Sequence, residues 1–129
     1  ELGLGGGAIR NYLQHTYPQS QLTSVDKNPD IIHCYKRYFG GNHANNLRCF
    51  DAQQVLEQGN EYNWIILDLF SEVEAPLFLY KHAFYAKLRA AMAKNGRLFI
   101  KHLLITEFGK RPSIEKIPNY VNHIVMIRK

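Results

Sequence analysis

The chain has 129 residues, 46% of them hydrophobic, and a formal net charge of +5. This length and apolar share suit one compact domain, residues 1–129, with a core of its own. No stretch approaches the ~18 uninterrupted apolar residues of a membrane span, no basic-then-apolar leader precedes the first glycines, and the basic residues form no run that would mark a nucleic-acid partner.

Residues 1–4 (ELGL) read as the end of a strand already in progress. Beyond the glycines, Ala8, Ile9, Tyr12 and Leu13 recur at helical spacing, which predicts an amphipathic helix ending near Pro18. QLTSVD (21–26) alternates as a strand. Asn28 and Pro29 open a second helix with Ile31, Ile32, Tyr35 and Tyr38 on one face and Gly40-Gly41 as its stop. NLRCFD (46–51) is a short strand. AQQVLEQG (52–59) is a helix of about two turns that faces Ala52, Val55 and Leu56 inward and closes at Gly59.

NWIILDLF (63–70) is nearly all apolar, as expected of a mid-sheet parallel strand covered on both faces. A long helix from about Leu79 to Lys94 follows, stopped at Asn95-Gly96, and RLFIKHLL (97–104) is the next strand. VNHIVMIRK (121–129) is the last strand, and the polar, proline-broken stretch before it is a loop. Strands alternating with helices predict an α/β fold with a parallel sheet and right-handed crossovers. Cys34 and Cys49 lack CxxC or ligand spacing and are expected to be buried, unpaired small hydrophobes; most tyrosines are expected to pack in the core. The histidines show no ligand spacing, so no metal is expected, and His102 is a residue that could face a ligand crevice.

The first strand-to-helix turn carries four glycines in five residues. In an open α/β sheet this turn meets the ligand, because glycine lets backbone N–H groups approach closely and the helix N-terminus favours negative charge. Two registers fit. Gly3, Gly5 and Gly7 give the G-x-G-x-G of S-adenosylmethionine sites, whereas Gly3, Gly5 and Ala8 give the G-x-G-x-x-A of dinucleotide folds. Asp26, about 20 residues on, suits ribose hydroxyls or else the cap of the second helix. Asp51-Ala52 suits an adenine amino group or else a cap on the third helix. Asp68, ending the apolar strand, suits an amine or a proton, or else a cap.

Together, LGLGGGAIRNYL, SVDKNPDII with KRYFG, FDA, YNWIILDLF and P-LFLYKHAFYAKLRAAMAKNGRLFI resemble spermidine synthase and its spermidine-synthase-like relatives. The resemblance runs from Glu1 to about Leu104, and Pro76, Leu79, Phe84 and Tyr85 carry its most family-like piece. It implies the class I S-adenosylmethionine-dependent methyltransferase fold: a Rossmann-like, mostly parallel sheet with helices on both faces and an antiparallel last strand, here with its first strand truncated. It also implies aminopropyl transfer from decarboxylated S-adenosylmethionine to putrescine.

By similarity Gly3, Gly5 and Gly7 line the nucleoside site, Asp26 meets the ribose, Asp51 with Ala52 meets the adenine, and Asp68 is the catalytic carboxylate at the attacking amine. Two acids depart from the family pattern: Ala8 replaces the Asp of the glycine turn, and Ser71 the second Asp of D-x-x-D. The family's amino-terminal β-domain, which supports dimerisation, does not occur in these residues, and a homodimer stays open. The expected partners are a nucleoside and a polyamine in the cytoplasm, without membrane or nucleic acid. Two alternatives are a methyltransferase with another acceptor and a non-catalytic nucleoside-binding or scaffold protein.

Overall fold

The computed structural model describes residues 1–40, 45–69, 76–100, 113–116 and 123–129. Residues 1–3 lie alongside β1 (Ser24–Asp26): Leu2 bridges Val25 in parallel, Val25 N–H donates to the Glu1 carbonyl at 3.0 Å, and Gly3 N–H to the Val25 carbonyl at 2.8 Å. The opening residues therefore run as a strand, as expected. β1 pairs in parallel with β2 (Leu47–Cys49), setting Asp26 opposite Cys49.

α1 (Ala8–Thr16) buries Leu13, but its most enclosed residue is Arg10, while Tyr12 of the expected stripe is 63% exposed. Arg10 is held because its guanidinium has partners. Its Nη1 donates to Ser24 Oγ at 2.9 Å and its Nη2 to the Asn45 carbonyl, while Ser24 Oγ donates to Glu1 Oε2 at 2.5 Å. A buried cation so paired ties the helix to β1 at a lower desolvation cost than an unpaired one.

α2 (Pro29–Tyr38) starts as the Asn28-Pro29 pair predicts: the Asn28 side chain accepts the Asp30 N–H and proline occupies the first turn, where its missing donor costs nothing. Its buried face is Ile32 and Tyr35, which cluster with Leu4; Tyr38 points outward. α3 (Ala52–Leu56) buries Ala52, Val55 and Leu56, and Gly59 follows with φ 73.

The chain divides into two compact units, Glu1–Val55 and Leu56–Lys129. In the second, β3 (Tyr62–Leu67), β4 (Met92–Ile100), β6 (His123–Arg128) and β5 (Ser113–Lys116) form a four-stranded sheet in that order. The β3–β4 pair is parallel, and β6 is antiparallel to both neighbours. Four expectations change here. β3 is not covered on both faces along its length: it alternates, with Ile65 and Leu67 buried and Trp64 41% exposed. Trp64 instead meets Phe99 edge to face, with ring centroids 5.5 Å apart.

The expected long helix is three pieces: a 3-10 turn (Leu77–Tyr80), extended Lys81, and α4 (His82–Ala90). Asn95-Gly96 is not the helix stop but a bulge inside β4. Between the pairs Tyr62–Met92 and Trp64–Arg97 the two strands advance by unequal numbers of residues, and Asn95 takes φ 64. Gly96 is required there, since a Cβ would lie 2.8 Å from the Ala93 carbonyl oxygen and 3.1 Å from that of Tyr62. Finally, the stretch read as a loop holds β5.

Both cysteines are free and exposed rather than buried, because Cys34 lies off the Ile32–Tyr35 face of α2 and Cys49 on a largely exposed strand. Tyr12, Tyr17, Tyr38 and Tyr80 are exposed, and among the described tyrosines only Tyr35 and Tyr85 are buried. No described helix is long and apolar enough to cross a membrane.

Candidate functional site

In the first unit the strand segment at residues 1–3, β1 and β2 all run parallel, so the glycine turn, Asp26 and Asp51 emerge at the same, carboxyl ends of neighbouring strands. The turn is closed by Gly7 N–H donating to the Leu4 carbonyl at 2.8 Å. Gly3, Gly5 and Gly7 all take positive φ (93, 50 and 73), which is why the sequence needs glycine there.

The glycines divide into two kinds. Gly3 and Gly7 are buried, and their N–H groups are engaged within the fold. Gly5 and Gly6 are exposed, and a Cβ built on either meets nothing within 4 Å. The open face of the turn is therefore Gly5-Gly6. Gly6, absent from the sequence-predicted set, belongs to it; the density of glycines was its signal, and neither G-x-G spacing includes it. Beyond Gly7, α1 starts without a side-chain cap and without an acid in its first turn. Its amino end therefore carries undercompensated N–H groups and the positive end of the helix dipole.

Asp26 does not cap α2; Asn28 does. Its carboxylate braces the turn instead: Oδ2 accepts the Leu4 N–H at 3.1 Å, and Oδ1 accepts the Asn28 N–H at 2.9 Å. The half-buried carboxylate thus holds Leu4, the residue before Gly5, with each oxygen keeping a second lone pair. Asp51 does cap α3, with Oδ1 accepting the Gln53 N–H at 2.8 Å while its carbonyl accepts from Gln54 and Val55. Phe50 N–H donates to the Asp26 carbonyl at 3.1 Å, which joins the two acids through one peptide, and Ala52 is buried behind them.

Asp68 follows β3 in the second unit and is half-buried. Ser71 and His102 lie outside the described residues. Among the described residues no group of three or more His, Cys, Asp or Glu side chains could hold a metal ion.

No family model matches the chain. A polyamine aminopropyltransferase of Vibrio vulnificus is 28% identical over 103 residues, covering 75% of this chain; the chain spans about a third (34%) of that relative's length. Human methyltransferase-like protein 13 in complex with SAH (S-adenosylhomocysteine) superposes with a TM-score of 0.77 at 18% identity, over 97% of this chain and 68% of the other. A probable spermidine synthase from Corynebacterium glutamicum does so with a TM-score of 0.68 at 23% identity, over 78% of this chain and 37% of the other. The fold is the Rossmann-like fold of class I methyltransferases, and the likenesses include a polyamine aminopropyltransferase and a probable spermidine synthase, as the sequence implied.

Proposed function

We propose that the protein binds an S-adenosylmethionine-type nucleoside at the glycine turn and transfers a group from it, as a methyltransferase on a spermidine-synthase-like scaffold. The observation that carries this reading is the open Gly5-Gly6 face set beside the Asp26 carboxylate at the carboxyl ends of parallel strands. The residues suit the ligand: small backbone groups at the turn, an acceptor for ribose hydroxyls in Asp26, and Asp51 with Ala52 for the base.

The bound nucleoside would supply an electrophilic carbon next to a sulfonium. The protein's part is to hold and orient it and to take up the acceptor's proton, the role we assign to Asp68. With Ala8 in place of an acid, the uncapped start of α1 suits a ligand carboxylate better than an amine, which favours S-adenosylmethionine over its decarboxylated form. Two exposed free thiols suit a reducing, cytoplasmic setting.

Aminopropyl transfer to a polyamine is the second reading, favoured by the Vibrio aminopropyltransferase match. Competition binding of S-adenosylmethionine and its decarboxylated form, with product analysis in the presence of putrescine, separates the two. Preference for S-adenosylmethionine without spermidine formation supports methyl transfer. Preference for the decarboxylated form with spermidine formation supports the second reading, and binding of neither nucleoside overturns both.

A further inference from the structure

Tyr35 lies on α2, is 1% exposed, and reaches back beneath the glycine turn. A Cβ built on Gly7 would lie 2.0 Å from its Cε2 and 2.5 Å from its Cδ2, so the ring occupies the space a Gly7 side chain would need. The opposite edge of the ring rests on Gly40, where a Cβ would come within 3.0 Å of Cε1. The hydroxyl donates to Asn11 Oδ1 at 2.5 Å, and Asn11 N–H in turn donates to the Gly7 carbonyl at 2.8 Å.

Gly7, Asn11 and Tyr35 thus close a small ring of contacts at the far end of the turn, while the Asp26 carboxylate holds the near end through Leu4. The Gly5-Gly6 segment spans two fixed posts. Ordinary core packing would require the ring of Tyr35 but not its hydroxyl.

We propose that Tyr35 is a positioning residue for the nucleoside turn, its hydroxyl bond to Asn11 fixing the direction of the Gly5 and Gly6 amides. The proposal rests on the reading that this turn binds an adenosyl nucleoside, and it deepens that reading by naming what preorganises the turn.

The test compares Tyr35→Phe, Asn11→Ala and Asn11→Asp in the whole chain by two readouts taken well below the melting temperature: the affinity for SAH and the amide resonances and hydrogen exchange of Gly5 and Gly6. Tyr35→Phe and Asn11→Ala each weaken SAH binding by about fivefold, the worth of one hydrogen bond, and both shift the two glycine amides and speed their exchange. Asn11→Asp keeps the acceptor oxygen and restores both readouts. Variants that lower only the melting temperature, with affinity and amides unchanged, make Tyr35 a packing residue and overturn the proposal. If the parent chain binds no SAH, the nucleoside reading falls, while the amide signals of the same variants still decide whether Tyr35 sets the turn.

Discussion

Gly5 and Gly7 share a left-handed backbone, yet substitution at the two should differ because of what lies around each. Gly7→Ala meets both the positive φ and the Tyr35 ring, so strain and overpacking add, and we expect a loss of about 3 kcal/mol in urea denaturation. Gly5→Ala meets the φ alone and should cost about 1 kcal/mol, while its new methyl group stands on the open face and weakens SAH binding. Equal destabilisation by the two substitutions would contradict the division of the turn into a buried and an open side.

The sequence displayed a turn that needs glycine backbone, since the density of glycines before a helical stripe permits little else. It did not display which of them faces outward. That depends on Tyr35 arriving from another helix, a contact across 28 residues with no periodicity to betray it. Arg10 was hidden for a related reason: it falls at a buried helical position where an apolar residue is the expectation, and its polar partners, Ser24 and Asn45 among them, make it tolerable there.

Among the elements, those with local chemical signals followed the sequence. Asn28-Pro29 set the start of α2, and Asn28→Ala should therefore cost about 1 kcal/mol by removing the bond to the Asp30 N–H, as measured by thermal or urea unfolding. Elements whose limits are set by pairing partners did not. Met92 and Ala93 read as helix because alanine and methionine favour it, but pairing with β3 draws the strand back to Met92 and converts Asn95-Gly96 into a bulge.

The bulge predicts that Gly96→Ala is costly, by about 2 kcal/mol, since the new Cβ would press on the Ala93 and Tyr62 carbonyl oxygens. A neutral Gly96→Ala would show that the two strands have another register. The exposed Lys87–Glu57 ion pair, 2.5 Å apart, should matter little to stability, because solvent screens it on both sides.

For the molecule as a whole, the likenesses to solved structures give the fold, and the glycine turn with two strand-end acids gives a candidate site within the first unit. A ligand that binds only the folded chain stabilises it by mass action, so saturating SAH, at about 100 times its dissociation constant, should add roughly 2.7 kcal/mol and raise the melting temperature. The chemistry assigned to Asp68 makes a separate demand: Asp68→Asn should abolish turnover while leaving the SAH-induced stabilisation intact. Loss of both would place Asp68 in nucleoside binding instead.

The proposed function requires that the open glycine turn and the Asp26 carboxylate together form an adenosyl-nucleoside site. Calorimetric titration of SAH into the chain and into its Asp26→Ala variant tests it most directly. Saturable one-to-one binding by the parent chain is expected, weakened at least about tenfold in the variant by loss of a charged acceptor that also braces the turn. Heat of dilution alone from the parent chain, or equal affinity in the two proteins, would contradict it.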